Sequence, residues 1–581
     1  MVIRKYGTSL VMAAGLLAST ELSPAVLSAA TPATLPGVID RPQPVVKIPV
    51  APGTEAAAPL KEAPKLEKED SARVVTTLSS VYFSGNTVIP TDDLQVVVAE
   101  YLHRPLTRND LAKLKYQVAR LFYDRGYILV KVVTPPQDLS AGKLKVDIYE
   151  ARIGNVSVAK QETLNSHIVN GMTQPLKTGH IFREQTAESV VSDLDSLPGV
   201  NATVNLSPGQ VFGTTDMTFQ IKPTSDDQQE VAVSNYGSSL TGTALATLHL
   251  EKSNLLHLGE QFFANLQHSI DGQLWSTDFG AEIPTGIYNV RTRLEYLHSE
   301  DQIEDRLESL DASGKTDLVS VSALSDLLNT RNRKLTTQAG VELRTHESFL
   351  ADVSDTKDNV AEGFLRTTYL ARSTDAVYLT SVRLSRGLDA FGADDQGHLQ
   401  ASSAFGNPDA WRLEPSLYVN KLSPFSDGNF IFSANGQFAS DRLISSDLFV
   451  LGGYGSVRGF DPATITGESG YQFSLEYDHN LPQICPEFTW KAGPFIDGGM
   501  ALNRTSTGLV GYNTLYSAGL GLEFNADLLR NVGETTLRLD WAHPLGRYNQ
   551  QAPAIGGVPQ PILPDNTISS DTFYFRVSQK F

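Results

Sequence analysis

The chain has 581 residues, with 47 Lys and Arg against 65 Asp and Glu, a net charge of −18. That sign argues against a nucleic-acid binder, whose footprint is basic; 41% hydrophobic and 19% charged residues exclude a wholly disordered chain. A single cysteine, Cys485, excludes an intramolecular disulfide and a cysteine-built metal site. At roughly 150 residues per domain the length suggests about four structural units.

The chain opens with Arg4 and Lys5, then an uncharged, mostly apolar stretch over 10–18, then Ser28, Ala29 and Ala30. A charged start, an apolar middle and a small-residue exit predict a signal peptide over 1–30. Its apolar part falls short of the ~20 residues of a spanning helix, and no later run reaches that length. Residues 31–75 carry prolines at 32, 36, 42, 44, 49, 52, 59 and 64, ending in a charged run. Proline fixes φ and removes backbone donors, so this stretch is predicted to be an extended, exported linker.

Residues 76–151 predict a first small α/β unit. Val81, Tyr82 and Phe83 read as a strand closed by Ser84-Gly85-Asn86, and a helix starts near Pro90 with Thr91, Asp92 and Asp93 in its cap and first turn. Leu111, Leu114, Val118, Leu121 and Phe122 form one face of a second helix, ended by Gly126. Strands follow over 128–133 and 143–149, giving the order β-α-α-β-β. Residues 152–225 are predicted to repeat that order, with a strand over 153–158, a weak helix over 162–172, and a helix carrying Val190, Val191, Leu194 and Leu197. Strands over 200–206 and 215–221 complete it; one larger α/β domain is the alternative. Each unit would expose an edge strand to which an extended peptide can add.

Beyond Gln229 the helical signal ends and short alternating runs take over. Ala244, Ala246, Leu248 and Leu250 share a face, as do Tyr471, Phe473, Leu475 and Tyr477, and Leu537, Leu539 and Trp541. In the last run Phe573, Phe575, Val577 and Phe581 oppose Thr572, Tyr574, Arg576, Ser578 and Lys580. A soluble sandwich or barrel and a transmembrane barrel both fit this pattern. The signal peptide, the absent disulfides and the terminal Phe581 favour the outer membrane. The 352 residues from 230 onward, divided among about sixteen strands, allow each the ~10 residues needed to span, plus a turn.

Four stretches then converge: Ser234-Asn235-Tyr236-Gly237 with Thr241-Gly242; Asn254-Leu255-Leu256 with Leu258-Gly259-Glu260; Gly453-Tyr454-Gly455-Ser456-Val457-Arg458-Gly459-Phe460; and Pro494-Phe495-Ile496-Asp497-Gly498-Gly499. Together they resemble the outer-membrane transporters of two-partner secretion, the filamentous-haemagglutinin and haemolysin secretion proteins of the Omp85 superfamily. Phe83-Ser84-Gly85-Asn86-Thr87, Arg125-Gly126-Tyr127 and Pro136-Gln137 resemble that family's periplasmic domain. The resemblance implies a transmembrane antiparallel β-barrel of about sixteen strands over 226–581, preceded by two small periplasmic α/β POTRA domains. It also implies that a loop near 451–468 folds into the lumen, carrying Val457, Arg458, Gly459 and Phe460, and that Arg458 pairs with Asp497 on the wall. Phe581 is expected to serve barrel assembly.

Competing readings are weaker. Gly453, Gly455 and Gly459 lack dinucleotide-fingerprint spacing, and Asp461-Pro462 follows where that fingerprint needs a helix. His249, His257 and His268 lack ligand spacing; Glu300, Asp301, Glu304 and Asp305 read as a solvated loop, and Cys485 as a turn residue. No catalytic constellation is recognised, so neither an enzyme nor a cofactor or metal is expected. The expected function is export of an unfolded exoprotein, bound by the POTRA domains, through the barrel. Outer-membrane lipid and the barrel assembly machinery are the other expected partners, and nucleic acid is not one. An Omp85-type assembly factor and a passive solute porin are the alternatives.

Overall fold

The computed structural model describes residues 74–303, 311–330, 332–350, 353–395, 406–483, 488–504, 510–526, 533–546 and 571–581. The predicted signal peptide, the predicted linker up to residue 73, Glu304, Asp305 and Cys485 lie outside the described residues.

The first α/β segment pairs Ser80–Ser84 in parallel with Lys143–Glu150, which pairs antiparallel with Val130–Val133. Leu114, Val118 and Phe122, one face of helix Arg108–Asp124, are fully buried against Leu144, Val146 and Ile148. Burying each such side chain contributes about 1.5–3 kcal/mol. The predicted order lacks two short strands, Val74–Thr77 and Pro105–Thr107, which pair with each other. Three residues beginning with a proline carry no readable period.

The helix caps also depart from expectation. Thr91 does not cap the first helix, Thr91–Val98, whose N-cap is Pro90; its hydroxyl accepts from Asn86 Nδ2 at 3.1 Å. The second helix is held by a capping box: Asp110 N donates to Thr107 Oγ1 at 3.2 Å and Thr107 N to Asp110 Oδ2 at 2.8 Å.

The second segment orders Arg152–Val158, Thr214–Pro223 and Val200–Pro208 in one sheet beneath helices Ser166–Thr173 and Glu184–Asp195. Its weak helix begins four residues later than predicted because Asn165 caps it, accepting from His167 N at 2.8 Å. Val190, Leu194 and Leu197 are buried with Met217 and Phe219.

From Gln228 onward sixteen antiparallel strands close into a barrel, the first (Gln228–Ser234) pairing with the last (Thr572–Lys580). Closure leaves no unpaired sheet edge, the condition for a sheet to cross hydrocarbon. Alternation decides which face meets lipid: on the sixth wall strand, Ala312–Thr330, Val321 is 50% exposed and Ser322 4%. Val319, Leu343, Leu365, Leu384, Leu417 and Leu475 extend the same outward apolar band. Among the described residues no helix is long and apolar enough to cross a membrane.

Glu300 and Asp301 are not in a loop; they end the fifth wall strand, Val290–Gln302, where Glu300 pairs with Lys315 at 3.2 Å. The outward orientation gives a first prediction. Val321→Arg, near the middle of its strand, should destabilise the lipid-folded barrel by about 2–4 kcal/mol, measured by denaturant titration in vesicles. An unchanged midpoint would contradict the lipid-facing assignment.

Candidate functional site

The chain between the eleventh wall strand, Gly428–Ala439, and the twelfth, Ser469–Asn480, leaves the end of the barrel opposite the α/β segments and folds back inside. This inward segment is longer than the predicted 451–468. It includes a 3₁₀ turn, Ser445–Asp447, and a small hairpin of Phe449–Leu451 with Ile465–Gly467.

Val457 and Phe460 are buried with Leu451, Ile465, Ala501 and Leu515, which seats the loop tip against the wall. Gly459 has φ +92°, a conformation that a side chain would strain. Its N–H donates to the Tyr574 hydroxyl at 2.9 Å. Gly452 and Gly453 share positive φ, whereas Gly455 does not.

Arg458 is 5% exposed and Asp497, on the thirteenth wall strand Phe488–Arg504, is 0% exposed. Arg458 Nε donates to Asp497 Oδ2 at 2.7 Å and Nη2 to Oδ1 at 2.9 Å, a bidentate fork. The Arg458 backbone N–H adds a third bond to Oδ2 at 3.1 Å. Sequence reasoning missed the remaining partners. Nη1 reaches Glu476 at 3.2 Å and Asp540 at 3.5 Å, and Nη2 reaches Ser474 Oγ at 3.2 Å. The guanidinium carbon lies 3.3 Å from the centre of the Phe495 ring. Arg538 joins the same acids, pairing with Glu476 and, at 2.7 Å, with Asp540.

A signal for these partners existed. Gln472, Ser474, Glu476 and Asp478 alternate with the outward Tyr471, Phe473, Leu475 and Tyr477, so acids occupy an inward face. Arg538 and Asp540 alternate likewise with Leu537, Leu539 and Trp541.

The loop also touches the seam where the barrel closes. Pairing there runs only from Arg576↔Ser234 to Lys580↔Glu230. Beyond it Asn235 continues the ladder with its side chain, Nδ2 donating to the Phe573 carbonyl at 2.8 Å and Oδ1 accepting from Phe575 N at 2.7 Å. Tyr236 stacks on loop residue Tyr454 with centroids 3.6 Å apart, and Ser239 donates to Asp461 at 2.7 Å. At the chain end Phe581 N donates to the Gln229 carbonyl at 2.9 Å.

The Asn254–Glu260 motif forms a turn at the barrel's other end. Asn254 Nδ2 donates to the Thr163 carbonyl at 3.0 Å, docking the second α/β segment. Nearby, Asn329 Nδ2 donates to Asp193 Oδ1 at 2.7 Å. His249 lies in the lumen with Nδ1 2.6 Å from Asn265 Oδ1. Among the described residues no group of three His, Cys, Asp or Glu is placed to hold a metal ion.

A closed barrel with a polar lumen, an inward loop and small α/β domains at one end defines an outer-membrane protein that can pass a polar substrate. Residues 213–524 match the family described as haemolysin secretion/activation protein ShlB/FhaC/HecB, and residues 76–151 match the POTRA domain, ShlB-type. The chain belongs to the haemolysin secretion/activation protein family, and its barrel lies in the outer membrane with the N-terminal domains in the periplasm.

It is 21% identical over 485 residues to the Heme/hemopexin transporter protein HuxB of Haemophilus influenzae, covering 79% of this chain and 82% of that protein. It is 23% identical over 544 residues to the Outer membrane transporter CdiB of Escherichia coli, covering 91% and 86%. The solved structure of CdiB from Escherichia coli superposes with a TM-score of 0.71 at 19% identity, covering 99% of this chain and 98% of that one.

Two predictions follow from this geometry. Removing one member of a buried pair leaves the other charge less well compensated, and here Glu476 and Asp540 still face Arg458 when Asp497 is lost. Arg458→Ala and Asp497→Ala should each impair export with the barrel still assembled, and the double variant should be no worse than either, measured as exoprotein in the medium. The second concerns Asp193. Burial pushes its carboxyl up to about 6, only partly offset by bonds from Asn329 and Tyr288, with Asp326 and Lys334 also near. A raised value in the docked state means docking is strongest below about pH 4, the usual carboxylate range, and weakens as pH rises through about 6. Hydrogen exchange in helix Glu184–Asp195 should therefore quicken from pH 5 to 7.5 after correction for the intrinsic rate, and Asp193→Asn should flatten that response.

Proposed function

We propose that this chain exports an unfolded exoprotein through its barrel, receiving it in the periplasm on the edges of its two POTRA domains and passing it outward as the inward loop yields. The observation that carries this reading is a lumen filled by a segment of the chain itself, pinned by charge pairs. Such pairs can be exchanged for other polar contacts as a substrate enters. Among the described residues strand Val200–Pro208 pairs on one side only, with Thr214–Pro223, and Ser80–Ser84 pairs only with Lys143–Glu150. Free strand edges accept extended chains through backbone hydrogen bonds without demanding a sequence.

No nucleotide is available in the periplasm, so direction comes from the cargo: a product that folds outside cannot re-enter. The chain acts as a channel and performs no catalysis. Phe581, paired to the first strand through its amide, is the residue by which the assembly machinery would receive the barrel. The relatives are transporters by name, which favours export over barrel assembly.

An exoprotein exported by cells carrying this chain supplies the test. Deleting residues 77–222 should abolish its appearance in the medium while the barrel still conducts ions. Export that persists after the deletion would contradict recognition by these domains, and a porin would lose nothing.

A further inference from the structure

The inward loop has a second attachment, at the end away from Arg458. Asp447, which closes the 3₁₀ turn Ser445–Asp447, is 7% exposed inside the barrel. Its Oδ1 accepts from Arg344 Nη2 at 2.6 Å and lies 2.8 Å from Arg412 Nη1. Arg344 Nη2 also donates to the neighbouring Ser446 hydroxyl at 3.1 Å. Gln437 Nε2 donates to the Asp447 carbonyl at 2.8 Å and to the Glu468 carbonyl at 3.1 Å, tying the beginning of the inward segment to its end.

The polarity is the reverse of the first attachment. There a loop cation meets wall acids; here a loop acid meets wall cations. One of those cations is itself fixed by the wall. Arg412 also pairs with Glu362, which accepts from Arg383 at 2.6 Å, and Arg383 reaches Glu342 at 2.9 Å. Two charge-assisted bonds to one buried carboxylate are stronger than neutral ones and directional.

The two attachments use different arcs of the wall. Arg344 lies on the seventh wall strand, Arg333–Leu350, and Arg412 on the tenth, Trp411–Leu422. Arg458 is held by the twelfth, thirteenth and fifteenth strands, through Glu476, Asp497 and Asp540. Among the described residues the ion-pair partners of Arg458 and Asp447 do not overlap.

We infer that Asp447 is a positioning residue of the export path: a second latch of opposite sign that holds the first part of the loop across the lumen. Because the latches share no partner, each can be released alone, and the pore has a half-released state in which the loop is tied to one arc only. This rests on the proposal that the loop must yield for export, but the ion current that tests it requires no cargo.

The purified full chain is reconstituted in planar lipid bilayers in KCl, with folding checked by heat-modifiable electrophoretic mobility. Asp447→Asn should raise the mean current several-fold, and Asp447→Glu should return it close to the starting value. Combining Asp447→Asn with Arg458→Ala should multiply the two single fold-changes, as independent sites do. A folded Asp447→Asn barrel with unchanged current would overturn the inference, as would a double variant no more conductive than the stronger single. If Asp447→Asn does not fold, Arg344→Gln, which leaves Arg412 on the carboxylate, is read the same way: a smaller rise supports the latch and no change overturns it. A raised current with undiminished export would leave the latch standing and contradict the need for a seated loop in export.

Discussion

A guanidinium stays charged at any physiological pH, so Arg458 inside the barrel must be compensated wherever the loop rests. Asp497 supplies that compensation through both carboxylate oxygens, with the backbone N–H of Arg458 bound to the same group. The pair fixes the side chain and its backbone together, which a flexible lysine could not do with the same fork. Positive φ at Gly459, the buried Val457 and Phe460, and the Phe495 ring beneath the guanidinium all serve that one placement.

The membrane supplies the second constraint. Hydrocarbon offers no partner to backbone amides, so the sheet must close, and closure makes the lumen the path for a polar chain. With small residues, acids and arginines facing inward, that lumen would be open without the loop. The loop also bonds to the closing seam through Tyr574, and Tyr454 stacks on Tyr236 beside it. Its position is thus coupled to the wall's shortest strand pairing, where the fewest ladder bonds resist separation.

Much of this was legible in the chain. Period-two alternation announced the wall strands, helix-face spacing found the buried sides of the long helices, and the family resemblance carried by the Val457–Phe460 tetrad implied the pairing of Arg458 with Asp497. What escaped has physical reasons. Strand Pro105–Thr107 is too short to show a period, and the capping box at Thr107 lies where no apolar run marks a helix start. Glu476 and Asp540 meet Arg458 only because the register of successive wall strands, with Ser474 opposite Asp497 and Gly521 opposite Asp540, brings them to it, which local sequence does not encode. Asp447 is further from view: its partners lie 103 and 35 residues away on strands set by the whole barrel's order.

The central claim is that the loop must leave its seat for cargo to pass. Loop residue Ser456 hydrogen-bonds wall residue Gln472; cysteines at these two positions, once shown to cross-link under oxidation, tether the loop reversibly. The decisive measurement is exoprotein released by cells carrying that pair, with the tether oxidised and then reduced. The account predicts that release stops on oxidation and resumes on reduction. Undiminished release from a fully cross-linked population would contradict it.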